Sequence, residues 1–183
     1  MKKIGLIMVC AMFAFASAQA QYKFPAIDAS VADIAYYPLR AANTGDPVKI
    51  KAVYSRPLKK GREILGGVEP FGKVWRAGAN ESTEIQFFTP VTIGGKQIPA
   101  GTYSLFAIPE KDKWTVIING IINRWGAFTY DQSKDIARVT VPVKTLTDSV
   151  EAFAITFTDS PTGANLIMGW EKTAVEVPIA FKK

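Results

Sequence analysis

The stretch "ARVTVPV", Ala137 to Val143, sets Ala137, Val139, Val141 and Val143 on one side and Arg138, Thr140 and Pro142 on the other. That two-residue period belongs to an extended strand with one buried face, because successive side chains point to opposite sides of a sheet. The pattern recurs in both directions from there. Downstream, "EAFAITF" (151–157) aligns Phe153, Ile155 and Phe157, and "AVEVPIAF" (174–181) aligns Val175, Val177, Ile179 and Phe181, with "NLIMGW" (165–170) between them. Upstream, "KWTVIIN" (113–119) and "GTYSLFAIP" (101–109) are apolar on both sides, as central strands are. "TEIQF" (83–87) and "VKIKA" (48–52) alternate again. Pro142 and Pro178 have no amide hydrogen for a ladder, so their strands are expected at an edge or a bulge.

Turn chemistry separates these runs. Gly94-Gly95 lies between "VTI" and "KQI" and predicts a two-residue hairpin with φ > 0 at both positions. Pro99-Ala100-Gly101, Pro109 to Asp112 and Ser160 to Gly163 mark three further reversals. A short helix is expected at most near Asp28–Tyr36 or Arg62–Gly66. Together these signals predict an all-β domain, an antiparallel two-sheet β-sandwich of about nine or ten strands with at most short helices.

The first twenty residues, "MKKIGLIMVCAMFAFASAQA", are expected to lie outside that fold. Lys2 and Lys3, an apolar run to Phe15 and Ala18-Gln19-Ala20 have the form of a cleaved signal peptide. The run is too short to span a bilayer, and Cys10 sits in its middle rather than at a lipid-attachment cleavage point. The expected mature chain starts at Gln21, is periplasmic or extracellular and has no transmembrane segment; residues 21–47 form an N-terminal extension and 48–183 a single domain. Cys10 is the only cysteine and there is no histidine, so that mature chain has neither. Disulfides, zinc sites built on Cys or His, haem ligation by His, and Cys–His or Ser–His catalysis are thereby excluded. Oxygen-ligand cations such as calcium stay open; no metal or other cofactor is assigned. Removing two lysines from 22 leaves 20 basic against 16 acidic residues, a net +4. That balance, with dense basic runs only at 59–62 and 182–183, argues against a nucleic-acid partner.

The polar exception is "GKVWRAGANESTEIQF", Gly72 to Phe87. Arg76, Asn80 and Glu84 are joined there by Ala77-Gly78-Ala79, a loop of small residues that allows close backbone approach. Arg56 and Arg62 lie upstream, and either Arg56 or Arg76 could fork onto the Glu84 carboxylate. Two readings are open. In one, Arg56, Arg62, Arg76, Asn80 and Glu84 bind an anionic or hydroxyl-rich ligand, with Trp75 or Trp125 as a stacking surface. In the other, Arg76 and Glu84 form a structural ion pair and Asn80 caps loop amides. Trp114 and Trp170 share strand spacing with apolar neighbours and are expected in the core, whereas Trp125 lies in loop-like "NGIINRWGAFTYDQSKD". Glu81 and Glu84, three apart on extended chain, face opposite ways and make a poor acid–base pair; Glu84 with Asp131 or Asp135 stays open.

"YSRPLKKGREILGG", "PFGKVWRAGANESTEIQF", "IGGKQIPAGTYSLFAIP", "WTVIIN", "WGAFTYDQSKDIARVTVPV" and "LIMGWEK" occur in that order. From about Val48 to Phe181 the chain closely resembles the secreted bacterial family called domain of unknown function 2911; residues 22–47 look less typical of it. The resemblance implies a signal-bearing, all-β domain and supplies no catalytic residue, since the family carries no established activity. The expected function is non-catalytic binding of a small molecule, glycan or envelope protein. The alternatives are a glycan-directed hydrolase using a carboxylate pair and a structural domain docking by a sheet edge.

Overall fold

The computed structural model describes residues 22–181. The expected signal peptide, its Cys10, the start at Gln21 and Lys182-Lys183 lie outside the described residues. Nine strands follow one another: β1 (Ala32–Tyr37), β2 (Ile50–Ser55), β3 (Thr83–Phe87), β4 (Val91–Ile93), β5 (Lys96–Ile98), β6 (Gly101–Pro109), β7 (Lys113–Asn119), β8 (Asp135–Ser160) and β9 (Gly163–Phe181). Between β1 and β2 a one-turn helix, α1 (Ala41–Thr44), stops at Gly45, whose φ is 72°. A 3₁₀ turn, Gln132–Lys134, precedes β8.

The domain is all-β, and its strands form one antiparallel sheet in the order β1-β2-β3-β6-β7-β8-β9-β4-β5, which does not close. The ladders fall into two groups, β1-β2-β3-β6-β7 with the first part of β8, and the rest of β8 with β9-β4-β5, but the two are joined through β8 rather than separate as expected from sequence. The reason lies in β8. "ARVTVPV" and "EAFAITF" read as separate strands, but "KTLTDS" between them contains neither glycine nor proline and is rich in threonine, so nothing stops the extended chain. β8 runs for 26 residues. Its first part pairs with β7 as far as Lys113–Pro142, and from Val143–Val175 onward it pairs with β9. Pro142 thus sits where the strand changes partners, and Pro178 falls between the β8-paired and β4-paired parts of β9. Register shifts between Thr145 and Ala154 bend the β8–β9 ribbon.

The curled sheet folds its apolar side over itself. Ile50, Ile85, Leu105 and Trp114 from β2, β3, β6 and β7 join Phe153, Phe157, Leu166, Trp170 and Ile179 from β8 and β9 in one buried cluster. Polar side chains lock the two flanks across it. The Tyr54 hydroxyl accepts from the Ile155 amide at 3.0 Å, and the Tyr37 hydroxyl reaches Asp159 Oδ1 at 2.8 Å and the Gly163 carbonyl at 2.9 Å. At Gly163 the chain passes so close to β9 that an added Cβ would lie 2.3 Å from the Ile179 carbonyl oxygen.

The expected turns form. Gly94 and Gly95 have φ of 56° and 79° and join Ile93 to Lys96, while Ser160 pairs with Gly163 across Pro161-Thr162. Neither helix expected from sequence does. Asp28–Tyr36 leads into β1, where Ala35 is buried and Ile34 exposed, a strand's alternation. Arg62–Gly66 is irregular chain with turns, and among the described residues the α-helical turn lies at Ala41–Thr44 instead. β1 belongs to the 21–47 segment and is hydrogen-bonded to β2 throughout its length.

Candidate functional site

The segment before β3 continues the ladder that β3 leaves unfinished on β6. Trp75 and Ala107 exchange N–H···O bonds of 2.7 and 2.9 Å, and Gly72 N–H donates to the Pro109 carbonyl at 2.9 Å. That pairing turns the Trp75 ring inward, where it stacks on Trp170 (5.7 Å) and meets Phe153 (4.9 Å) and Trp114 (5.9 Å) edge to face. Its indole N–H donates to the Gly78 carbonyl at 3.1 Å, and the residue is 2% exposed. Trp75 is core and offers no surface to a ligand, which corrects the stacking role expected of it. Trp114 and Trp170 are core, as their spacing implied.

Beyond Trp75 the small-residue loop makes the close approach read from its composition. The Ala79 amide bonds the Ser55 carbonyl at 3.2 Å, and a Cβ on Gly78 would lie 3.0 Å from that same oxygen. Thr83 Oγ1 donates to the Ala77 carbonyl at 2.6 Å. Ala77 and Asn80 both adopt left-handed φ, 51° and 60°, so the loop is held in a conformation that costs non-glycine residues energy.

The arginines do not converge. Arg56 Nη1 lies 3.0 Å from Asp33 Oδ2, and its Nε donates to the Phe153 carbonyl at 3.0 Å. It ties β1 and β2 to β8 and does not fork onto Glu84. Strand parity explains why: Val53 pairs with Glu84, so Glu84 shares the outer face with Val53, whereas Arg56, three residues along, faces inward with Tyr54. Arg62 is spent on its own loop, donating to the Lys59 and Leu58 carbonyls at 3.0 and 2.7 Å. Arg76 is half-buried and, like Arg56, has no ion pair with Glu84 among the described residues; its Nε is enclosed without a hydrogen-bond partner. Its electrostatic neighbour is Glu69, a half-buried carboxyl that burial pushes upward and the Arg76 charge pulls partly back.

Three of the expected residues do come together. The loop after β7 lies antiparallel against the loop before β3: Ser82 N–H donates to the Arg124 carbonyl at 2.8 Å, Gly126 N–H to the Asn80 carbonyl at 2.9 Å, and Glu81 bridges Trp125 between them. Glu84 Oε1 accepts from the Asn123 amide at 3.4 Å. Asn80, through its side chain, with the Ser30 amide holds the Asp28 carboxyl below its ordinary range, the Ser30 bond being the larger influence. On this double loop Trp125 stands 63% exposed, and Phe128, whose ring lies over Gly126, is 84% exposed.

Beneath it is a polar network that sequence reading missed. Asn119 Nδ2 donates to Asp135 Oδ1 (2.8 Å) and the Asp131 carbonyl (3.0 Å), while Asp135 Oδ2 receives the Tyr130 hydroxyl and Arg138 Nη1, each at 2.6 Å. The Tyr130 ring covers Phe106 edge to face at 5.3 Å. Burial, then the bond and charge of Asp135, push the Tyr130 hydroxyl up to about 12. No spacing rule links residues 119, 130, 135 and 138; the link appears only once the β7–β8 register places Asn119 beside Asp135. The same network leaves Asp135 unavailable to pair with Glu84, and Asp131 is occupied in accepting the Ser133 amide at 2.8 Å. Ser82 and Ser104 hydroxyls meet at 3.1 Å, buried and, among the described residues, with no base bonded to either. This arrangement is built to hold a surface in place.

A family model described as "Protein of unknown function (DUF2911)" matches residues 39–179. The chain belongs to the DUF2911 family. The match begins upstream of the Val48 limit read from sequence and takes in α1 and the turn into β2. No curated protein and no solved structure matches this chain. Membership therefore assigns no residue a role, and the geometry has to carry the functional argument.

Proposed function

We propose that this DUF2911 protein is exported to the bacterial envelope and binds, without catalysis, a glycan, other small molecule or envelope partner at the edge formed by Trp125, Phe128, Asn80 and Glu84. The observation that carries this reading is the pairing of an exposed indole with a fixed mount: Trp125 is 63% exposed while its loop is pinned by amide bonds of 2.8 and 2.9 Å on either side. An aromatic face held open by backbone bonds suits the apolar face of a sugar ring or an apolar side chain of a partner, and loses little entropy on binding. Amide and carboxylate groups beside it supply orienting hydrogen bonds. Export is supported by the signal-like first twenty residues.

The alternatives draw less support. A carboxylate-pair hydrolase needs a partner for Glu84; Asp135 is committed to Asn119, Tyr130 and Arg138, and Asp131 caps the 3₁₀ turn before β8 through the Ser133 amide. Docking by a free sheet edge would use β1 or β5. The Ile34 amide of β1 is already bonded by Asp33 at 2.8 Å, and β5 is three residues long and followed by Pro99.

Of the four tryptophans, Trp125 alone is exposed, so its emission reports on this edge. Titration with β-linked oligosaccharides is expected to shift indole emission to the blue and to shield it from acrylamide. Trp125→Ala should abolish that response and leave the melting temperature close to the parent's. Saccharide binding that survives Trp125→Ala, or release of cleaved saccharide, would overturn the proposal.

A further inference from the structure

We infer a second binding site, remote from Trp125, that takes a small zwitterion: a short peptide or amino acid with a free ammonium group, a free carboxylate and an apolar side chain. The turn after β1, the start of β2 and the end of β8 border an open cleft of ≈ 620 Å³. That volume lies within the range of small-molecule sites. Lys49 and Asp159 bring charges of opposite sign to its walls, and Pro38, Leu39 and Phe157 bring apolar surface.

The charges around the cleft balance, and their separation is what selects the ligand. Arg40 also lines the cleft, but Asp46, 2.7 Å from its Nε, offsets it. That leaves one cation and one anion. Among the described residues, Lys49 has no carboxylate and Asp159 no basic group within 4.0 Å, so the two do not pair with each other. Asp159 Oδ1 accepts the Tyr37 hydroxyl at 2.8 Å, and its Oδ2 has no hydrogen-bond partner among the described residues. An open carboxylate oxygen accepts from an ammonium group, and the Lys49 ammonium donates to a carboxylate. A ligand with a single charge satisfies one wall and faces its own sign on the other. A zwitterion satisfies both.

The two charges are mounted on one aromatic pair. The Tyr37 and Phe181 rings stack at 5.6 Å; the Lys49 ammonium lies 5.0 Å from the centre of the Phe181 ring, and the Tyr37 hydroxyl holds Asp159. Tyr37 is itself fixed. Its hydroxyl reaches the Gly163 carbonyl at 2.9 Å, its ring meets Phe157 edge to face at 6.3 Å, and its carbonyl accepts the Lys49 amide at 2.8 Å. Burial, then the bond and charge of Asp159, push that hydroxyl above its ordinary range and keep it a donor. Leu39 stands 55% exposed beside these groups and offers contact to an apolar side chain. The six residues of β2 lead from this cleft to the Ser55 carbonyl that holds Ala79, roughly 17 Å at strand rise, so this site and the Trp125 edge stand or fall separately.

Leu-Leu, N-acetyl-Leu-Leu and Leu-Leu amide are the probes, titrated into the protein while backbone amide chemical shifts are followed. Leu-Leu should saturably shift the amides of Leu39, Lys49 and Thr158. The acetylated peptide, which lacks the ammonium group, and the amide, which lacks the carboxylate, should each bind about three- to fivefold more weakly, as exposed ion pairs allow. Asp159→Asn keeps an acceptor for Tyr37 and should erase the preference for Leu-Leu over the acetylated peptide while sparing its preference over the amide. Lys49→Gln should do the reverse. This crossed pattern is one that a general loss of folding does not produce, and if either variant is destabilised the other still reads its own wall. Free leucine binding as tightly as Leu-Leu would assign the site to amino acids; weaker binding of leucine would assign it to peptides. No saturable shift at these amides, equal affinity of the parent for all three peptides, or variants that weaken all three alike would overturn the inference.

Discussion

Trp75 and Trp125 both lie outside the nine strands and both are backbone-paired to a neighbouring segment, yet one is sealed in the core and the other faces solvent. The difference lies in what each pairing extends. Trp75 pairs with Ala107 in the body of the sheet, so strand alternation sends its ring into the cluster of Trp114, Trp170 and Phe153. Trp125 pairs with Glu81 beyond the end of β7, in a loop whose two ends meet in the Asn119–Asp135–Tyr130 network, and its ring stays outside the core. Backbone pairing fixes an aromatic residue; whether it pairs in the body of the sheet or beyond a strand end decides whether the ring is buried. At the centre that rigidity serves stability, and at the edge it holds an unburied surface in one place.

The sharpest way to break the comparison is to truncate both rings. Trp75→Ala removes the centre of an aromatic cluster and should cost about 3–5 kcal/mol, read as a lower denaturation midpoint at unchanged m-value. Trp125→Ala should stay within about 0.5 kcal/mol of the parent. Similar losses at both positions would mean that Trp125 is a structural residue. The tightness of the core side can be tested again at Gly163. A methyl there has to displace the Ile179 backbone, and Gly163→Ala should cost about 1–3 kcal/mol by overpacking in the same unfolding measurement.

The layer under Trp125 is tested by Asp135→Asn, expected to cost about 1–2 kcal/mol through loss of a charged hydrogen-bond acceptor. It also has a pH signature. Tyr130 titrates at about 12 in the folded protein, above the ordinary tyrosine value near 10, so its contribution is fully present below that ordinary value and is lost as pH rises through about 12. Without the Asp135 charge the tyrosine should ionise at lower pH and the Trp125 loop should loosen with it. Near-ultraviolet titration of Tyr130 and Trp125 emission, followed together, check both. An unchanged Tyr130 titration would mean that burial alone sets it and that the network does not hold the loop.

How much of this was legible in sequence follows the same division. Period-two patterns identified the strands, and glycine pairs the hairpins, because both are local rules. The core role of Trp114 and Trp170 came from spacing alone. What failed required register. Glu84 and Arg56 look like natural partners in a linear chain, but the Val53–Glu84 pairing puts them on opposite faces, and Asp33, the actual partner of Arg56, lies in a segment read as an extension. The continuity of β8 was hidden because "ARVTVPV" and "EAFAITF" read as separate strands, and Pro142, read as an edge or bulge, marks a change of neighbour. Of the candidate cluster, Asn80, Glu84 and Trp125 meet; Trp75, Arg56 and Arg62 are each spent on the fold.

The smallest expected effect concerns the charge beside the core. Burial raises the Glu69 carboxyl above its ordinary range, with Arg76 offsetting part of the shift. A carboxyl raised on folding contributes stability that is fully present below the unfolded value, about 4.3, and is lost as pH rises through the folded one. At neutral pH the ionised form is therefore a liability, and Glu69→Gln should stabilise there by on the order of 0.5 kcal/mol. Near pH 3 both proteins carry a neutral side chain at this position and the difference should vanish. Midpoints of thermal unfolding for the two proteins across that range decide the matter. A variant that is less stable at neutral pH would show that the attraction to Arg76 outweighs desolvation, which would make Glu69 and Arg76 the stabilising pair that sequence had led one to expect between Arg76 and Glu84.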